Sequence, residues 1–186
     1  MKKSAIREKY LQKRKQLSSK EVEQLSQQIF SSFLAKFKPQ PRQKVHVFLP
    51  ISKFNEINTH IFIDYFFKNK LKVFVPKIQG NTMISVQLFP DSEIVVNSWG
   101  VPEPITNNFI EEKNFDFVLT PLLYCDQKGN RVGYGKGFYD DFFLQLSPEV
   151  KKIGLNYYPP IVGIEDFWEG DIPLDYLVLP REVLSF

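Results

Sequence analysis

Apolar residues along the first third of the chain recur at helical spacing. Ile6, Tyr10 and Leu17 share one face of a helix predicted over residues 3–16. Lys3, Arg7 and Arg14 form a second stripe about 60° round from it and so border the buried face. Lys9, Lys13 and Lys15 read as a solvated basic face. Ser18-x-x-Glu21 is a capping box that opens a second helix, with Val22, Leu25, Ile29 and Phe33 inward and Pro39 and Pro41 marking its stop. The pattern then changes. Lys44 to Leu49 alternates, runs apolar and ends at Pro50, as a strand does. Asn58 or Thr59 caps a helix through Asn69, with Ile63, Phe66 and Phe67 inward, and Leu71 to Pro76 is a second strand. Strand–helix–strand is the unit of a parallel sheet. Met83–Phe89 and Glu93–Val96 read as two short strands forming a hairpin or an edge. Trp99 to Pro104 is stiff and extended, because its two prolines exclude a helix. Phe117 to Leu123 is an apolar strand, Tyr139 to Leu146 suits a helix, and Lys151–Tyr157 and Tyr176–Leu179 are the closing strands.

Composition narrows the class. A chain of 186 residues fits one domain with a sizeable core, and 43% hydrophobic with 24% charged residues is a globular balance. The 18 Phe and 8 Tyr predict an aromatic-rich core. Net charge is only +3 but is unevenly placed: residues 1–44 carry 12 Lys/Arg against 3 Asp/Glu, and the remainder 12 against 18. A basic head on a mildly acidic body points to an anionic ligand near the N-terminus. The single cysteine, Cys125, rules out an internal disulfide and suits a reducing compartment. With two histidines it is too little for a zinc site of the usual kind. No apolar run reaches the length of a membrane span, and the N-terminus lacks the apolar core of a secretory signal. A soluble, cytoplasmic protein is the expectation.

The stretch Gly129 to Asp140 carries the strongest chemical signal. Gly133, Gly135 and Gly137 alternate within it, and Arg131 and Lys136 place two cations on nearly bare backbone. It is neither a Walker A loop nor a Gly-x-Gly-x-x-Gly dinucleotide fingerprint. Strand, glycine-rich basic loop, helix is a geometry that presents N–H groups and a positive helix end to phosphate. A phosphoryl-transfer site also needs cations for developing charge and carboxylates for Mg²⁺. Lys3 and Arg7 are candidate extra cations. Asp140 is a candidate metal ligand, against a plain first-turn residue, and Asp171 is a second candidate, against a surface turn. Glu56 sits in the loop after the first strand, where a carboxylate binds an amino-pyrimidine edge or is solvated. Ligands of parallel sheets gather at the carboxyl ends of strands, where residues 50–56 and the glycine-rich loop both fall. His46 reads as a core residue, His60 lies in a first helical turn, and Cys125 lacks the neighbours of a nucleophile.

These residues resemble the 5-formyltetrahydrofolate cyclo-ligase (5,10-methenyltetrahydrofolate synthetase) family over almost the whole chain. Its Lys-x-x-x-Arg helix is matched by Lys3 to Arg7, its strand-end loop by Ile51 to Thr59 and its Pro-rich segment by Trp99 to Pro104. Its signature Gly-Asn-Arg-Leu-Gly-x-Gly-x-Gly-Tyr-Tyr-Asp is matched by Gly129 to Asp140, with Val132 for Leu and Phe138 for the first Tyr. The resemblance implies a single three-layer α/β domain with a mixed, mostly parallel sheet flanked by helices. It implies ATP- and Mg²⁺-dependent cyclisation of 5-formyltetrahydrofolate to 5,10-methenyltetrahydrofolate, with Arg131 and Lys136 acting on the transferred phosphoryl group. ATP would be bound by Lys3, Arg7 and Arg131, Val132, Gly133, Tyr134, Gly135, Lys136, Gly137, Phe138 and Tyr139. The folate would contact Ile51, Glu56 and Tyr134 to Phe138, and Mg²⁺ would take Asp140 and Asp171. Phe54 and Trp99 are added as aromatic walls on stacking grounds alone. The family often has His before the second metal carboxylate, whereas Gly170 precedes Asp171 here. The expected partners are small molecules, with no nucleic acid and no membrane, and a monomer is expected. Two other classes stay open: an RNA binder using the basic N-terminal helix, and an ATP-independent sugar-phosphate enzyme of similar layout.

Overall fold

The computed structural model describes residues 1–106 and 112–186. Helix α1 spans Lys3–Lys15 and α2 spans Ser19–Phe37. The capping box is formed in full: the Ser18 side chain accepts from the Glu21 N–H, and the Glu21 carboxylate accepts from the Ser18 N–H. Strand β1 (Lys44–Val47) leads through a 3-10 turn at Ser52–Phe54 to α3 (His60–Lys68) and β2 (Lys72–Gln79). Then come β3 (Thr82–Leu88), β4 (Ile94–Val96), β5 (Pro102–Pro104), β6 (Phe117–Pro121), β7 (Tyr124–Cys125) and β8 (Arg131–Val132). The chain closes with α4 (Phe138–Phe143), β9 (Lys151–Leu155), β10 (Tyr176–Val178) and β11 (Val183–Ser185).

The main sheet has seven strands in the order β11-β10-β9-β6-β1-β2-β3. Its five central strands run parallel, and β3 and β11 pair antiparallel at the two edges. Side chains alternate across it. Val45, Val47, Val73, Val75, Leu119 and Leu155 face α2 and α3, joined by Phe33, Phe62 and Phe66. Phe74, Val118 and Leu177 face the other way, under Phe142 and Phe143 of α4. Helices on both faces of a mostly parallel sheet make the three-layer α/β fold that was expected.

Several expected boundaries and pairings are corrected. Of the hairpin or edge expected for β3 and β4, β3 does form an edge of the main sheet, but in a long hairpin with β2, while β4 pairs with β5 in a separate two-stranded sheet. β11 carries no alternation strong enough to announce it, and its pairing with β10 decides it. In α3 the third buried residue is Phe62 rather than Phe67. α4 is six residues long and ends at Phe143, because Leu144 is already exposed. Cys125 is in β7, buried, rather than in a loop. No helix among the described residues is long and apolar enough to cross a membrane.

Candidate functional site

Three segments meet at the carboxyl ends of β1 and β6. The first is α1, whose Ile6 and Tyr10 pack on Val132, Leu123 and Tyr124 of the β7–β8 hairpin. The second is the turn after β1, and the third is the glycine-rich loop between β8 and α4. Asn55 ties two of them together: its amide donates to the Arg14 and Leu17 carbonyls at 3.0 and 2.8 Å.

The loop is held by its edges and left open in the middle. Arg7 Nε donates to the Gly133 carbonyl at 2.9 Å. Gly135 has φ +87°, a conformation that favours glycine, and a Cβ there would sit 3.2 Å from the Arg7 guanidinium, which would have to shift slightly. Gly137 accepts from the Asp140 and Asp141 N–H groups. Within the described residues the N–H groups of Tyr134, Gly135, Lys136 and Gly137 donate to nothing, which leaves a row of free donors. With α4 only six residues long, the loop's free N–H groups rather than a helix dipole are the donors on offer to an anion.

Two of the cations around that row are paired with carboxylates. Lys3 Nζ bonds to Asp171 Oδ2, which also accepts from the Trp168 N–H. Arg131 bonds Asp140 Oδ1 at 2.7 Å and the Ile172 carbonyl, and its guanidinium lies 4.7 Å from the centroid of the Phe143 ring. Asp140 Oδ1 also accepts from the Ile172 N–H. Of the two cations expected on this nearly bare backbone, Arg131 is thus paired and turned inward. The Arg131 side chain is 7% exposed, and burial pulls its pKa down while Asp140 pulls it back up. Lys136 is the exposed one, with its Nζ 5.0 Å over the Trp99 ring.

Beside the loop lies an enclosed carboxylate. Glu56 is 4% exposed. Its Oε1 accepts from the Tyr134 hydroxyl at 2.6 Å and its Oε2 from the Ile51 N–H at 2.7 Å. Burial pushes its pKa up, against the pull of the Tyr134 bond, the Ile51 bond and the Arg14 charge. The Tyr134 ring stacks on Phe54, with centroids 5.3 Å apart. Trp99 and Phe138 approach to 6.0 Å on the other flank of the loop. The arrangement offers amide donors and cations for an anion, and a buried acceptor between aromatic rings for a flat polar heterocycle.

The family model for 5-formyltetrahydrofolate cyclo-ligases matches residues 1–175. The chain belongs to this family. It is 33% identical over 184 residues to the 5-formyltetrahydrofolate cyclo-ligase of Mycoplasma pneumoniae, covering 96% of this chain and 98% of that one. The cyclo-ligase of Escherichia coli strain K12 is 25% identical over 92% of the chain and 97% of its own length. Among solved structures, the 5,10-methenyltetrahydrofolate synthetase of Aquifex aeolicus superposes with a TM-score of 0.81 at 29% identity, covering 100% of this chain and 93% of that one. The synthetase of Mycoplasma pneumoniae gives 0.75 at 27% identity, covering 96% and 98%. The family is one of enzymes.

Most cyclo-ligase residues expected from sequence gather here: Lys3, Arg7, Ile51, Phe54, Glu56, Trp99 and the loop from Arg131 to Asp140. Asp171 joins them through Lys3. Two expected nucleotide contacts face the interior. Val132 is 1% exposed, with its carbonyl bonded to the Leu123 N–H, and the Tyr139 hydroxyl is enclosed without a partner. Arg14 was seen in the basic stripe but not singled out. Its place on the border of the buried face was the available signal, and the structure puts it at 2% exposure against Tyr134.

Proposed function

We propose that this chain cyclises 5-formyltetrahydrofolate to 5,10-methenyltetrahydrofolate at the expense of ATP. The observation that carries the reading is the hydrogen bond from Tyr134 to Glu56, across 78 positions of sequence. It joins a donor-rich glycine loop to an enclosed carboxylate, so an anion site and a heterocycle site share one residue. Family membership supports the reaction, and the geometry supports the division of labour.

In this reading the folate's amino-pyrimidine edge meets Glu56, with Phe54 and Trp99 as aromatic walls. The triphosphate lies along the free N–H groups of residues 134–137, with Lys3, Arg7 and Lys136 answering its charge. The formyl oxygen takes the γ-phosphoryl group and ADP leaves. N10 then attacks the activated formyl carbon and loses its proton, the C–O bond breaks, and phosphate departs with that proton as the ring closes. The chain need supply no nucleophile. Its residues orient the two substrates and stabilise charge on the phosphoryl oxygens.

The carboxylates fit a Mg²⁺ ion. Asp140 uses only Oδ1 and Asp171 only Oδ2 within the protein, which leaves one oxygen on each free among the described residues. Mg²⁺ commonly takes one or two carboxylates and fills its shell with phosphate oxygens and water. When bound, it would neutralise phosphate charge.

The test is the appearance of methenyltetrahydrofolate absorbance from the 5-formyl compound, with and without ATP and Mg²⁺. Formation that needs both supports the reading. Formation without ATP, or none at all, overturns it.

A further inference from the structure

The folate side of the proposed site contains a cation outside the glycine-rich signature. Arg14 lies in the last turn of α1 and is 2% exposed. One Nη donates to the Tyr134 hydroxyl at 3.2 Å, the other donates to the Leu122 carbonyl, and the guanidinium sits 5.7 Å from the Tyr157 ring centroid. Its Nε is buried without a partner among the described residues. No carboxylate pairs with it directly among the described residues. An enclosed cation of this kind is costly unless a counter-charge stands nearby.

Glu56 is that counter-charge, one phenol away. A tyrosine hydroxyl has a single proton. Here it goes to Glu56 at 2.6 Å, so the oxygen is left to accept from Arg14. The chain of donors therefore runs from Arg14 to Tyr134 to Glu56, with the Ile51 N–H holding the other carboxylate oxygen. Two lone-pair positions of the carboxylate remain for a ligand.

We infer that Arg14 is a positioning residue for the folate, acting through Tyr134 to keep Glu56 anionic and aimed. The inference rests on the folate reading of Glu56. An oriented carboxylate accepts two N–H groups from an amino-pyrimidine edge, whereas a protonated one replaces an acceptor with a donor and breaks the match. Burial works against the anion, while the Tyr134 bond, the Ile51 bond and the Arg14 charge work for it. The other ionisable groups facing Glu56 are the phenols of Tyr139 and Tyr157. Burial pushes both up, Tyr157 to about 12, so both stay neutral at working pH.

Removing Arg14 lets the Glu56 pKa rise. Activity that needs the anion is lost as pH falls through that value, so the acid limb moves to higher pH. The experiment is the pH profile of kcat/KM for 5-formyltetrahydrofolate at saturating ATP, on the full chain. Arg14→Met is expected to move the acid limb up by about one pH unit and to raise the folate KM, with the ATP KM unchanged. Arg14→Lys is expected to move it less. Tyr134→Phe keeps the ring but cuts the relay, and it is expected to move the limb in the same direction, so it carries the test if Arg14→Met does not fold. Glu56→Gln is expected to lack the limb. A profile that drops in height without moving, as a merely structural Arg14 would give, overturns the inference. If Glu56→Gln leaves the folate KM unchanged, the folate reading itself fails. If it raises that KM while the Arg14→Met limb stays in place, only the positioning role fails.

Discussion

On the glycine-loop side of the candidate site, two cations are paired, Lys3 with Asp171 and Arg131 with Asp140, while Lys136 is exposed over Trp99. On the heterocycle side, a single carboxylate is enclosed and its counter-charge stands one phenol away. In the proposed function a triphosphate would bring several charges and its own counter-ion to the first side, which suits cations held in place without all being buried. A pterin would bring almost none to the second, where one acceptor in a dry, aromatic slot suits it. The difference separates a region built for charge balance from one built for shape and hydrogen bonding.

Three substitutions probe this contrast. The largest effect is expected from Arg131→Ala. It removes the partner of Asp140 at a side chain only 7% exposed, so a stability loss of about 3 kcal/mol is expected, together with a tenfold or greater fall in turnover. Urea unfolding and steady-state assays measure the two. Wild-type stability would mean that the pair is ornamental and the anion side needs no internal balance.

Next is the floor beneath the anion side. His46 on β1 faces Phe142 of α4, with ring centroids 4.7 Å apart, and neither ring nitrogen has a partner among the described residues. Burial lowers its pKa from 6.5 to about 3. Below pH 6.5 the unfolded chain therefore takes up a proton that the folded chain refuses. The stability associated with neutral His46 is complete above that pH and declines as pH falls toward 3. At pH 5 the loss comes to about 2 kcal/mol. His46→Leu should remove this acid sensitivity, read as a smaller drop in urea midpoint between pH 7.5 and pH 5. An unchanged drop would place the acid-labile element elsewhere.

The smallest effect is expected from Lys136→Ala. Turnover should fall about tenfold, or about 1.4 kcal/mol of transition-state stabilisation, while stability stays within about 0.5 kcal/mol. Set beside Arg131→Ala, this separates a cation that meets substrate from one that also holds the loop. Equal stability losses would erase the distinction.

Much of this was legible in residue order, for reasons that differ by element. The start of α2 was readable because Ser18 and Glu21 satisfy each other locally. The β1–α3–β2 unit was readable because periodicity switches sharply around Pro50 and again after Asn69. The partners of β3 and β4 were not, since a short alternating strand fits either edge equally well until a neighbour claims it. β11 is three residues long and is defined wholly by β10. In the site, the glycine-rich loop was found because glycine alternation with two cations is rare in sequence. The direction in which those cations point was not encoded locally.

By itself the sequence determined the fold class, the helix starts, the glycine-rich loop and the family, because these depend on periodicity, capping and contiguous signature residues. Only the tertiary structure decided that Arg131 turns inward to Asp140, that Glu56 is enclosed rather than solvated, and that Arg14 reaches it through Tyr134. Those outcomes follow from which distant segments share a dry space, where desolvation obliges each charge to find a partner.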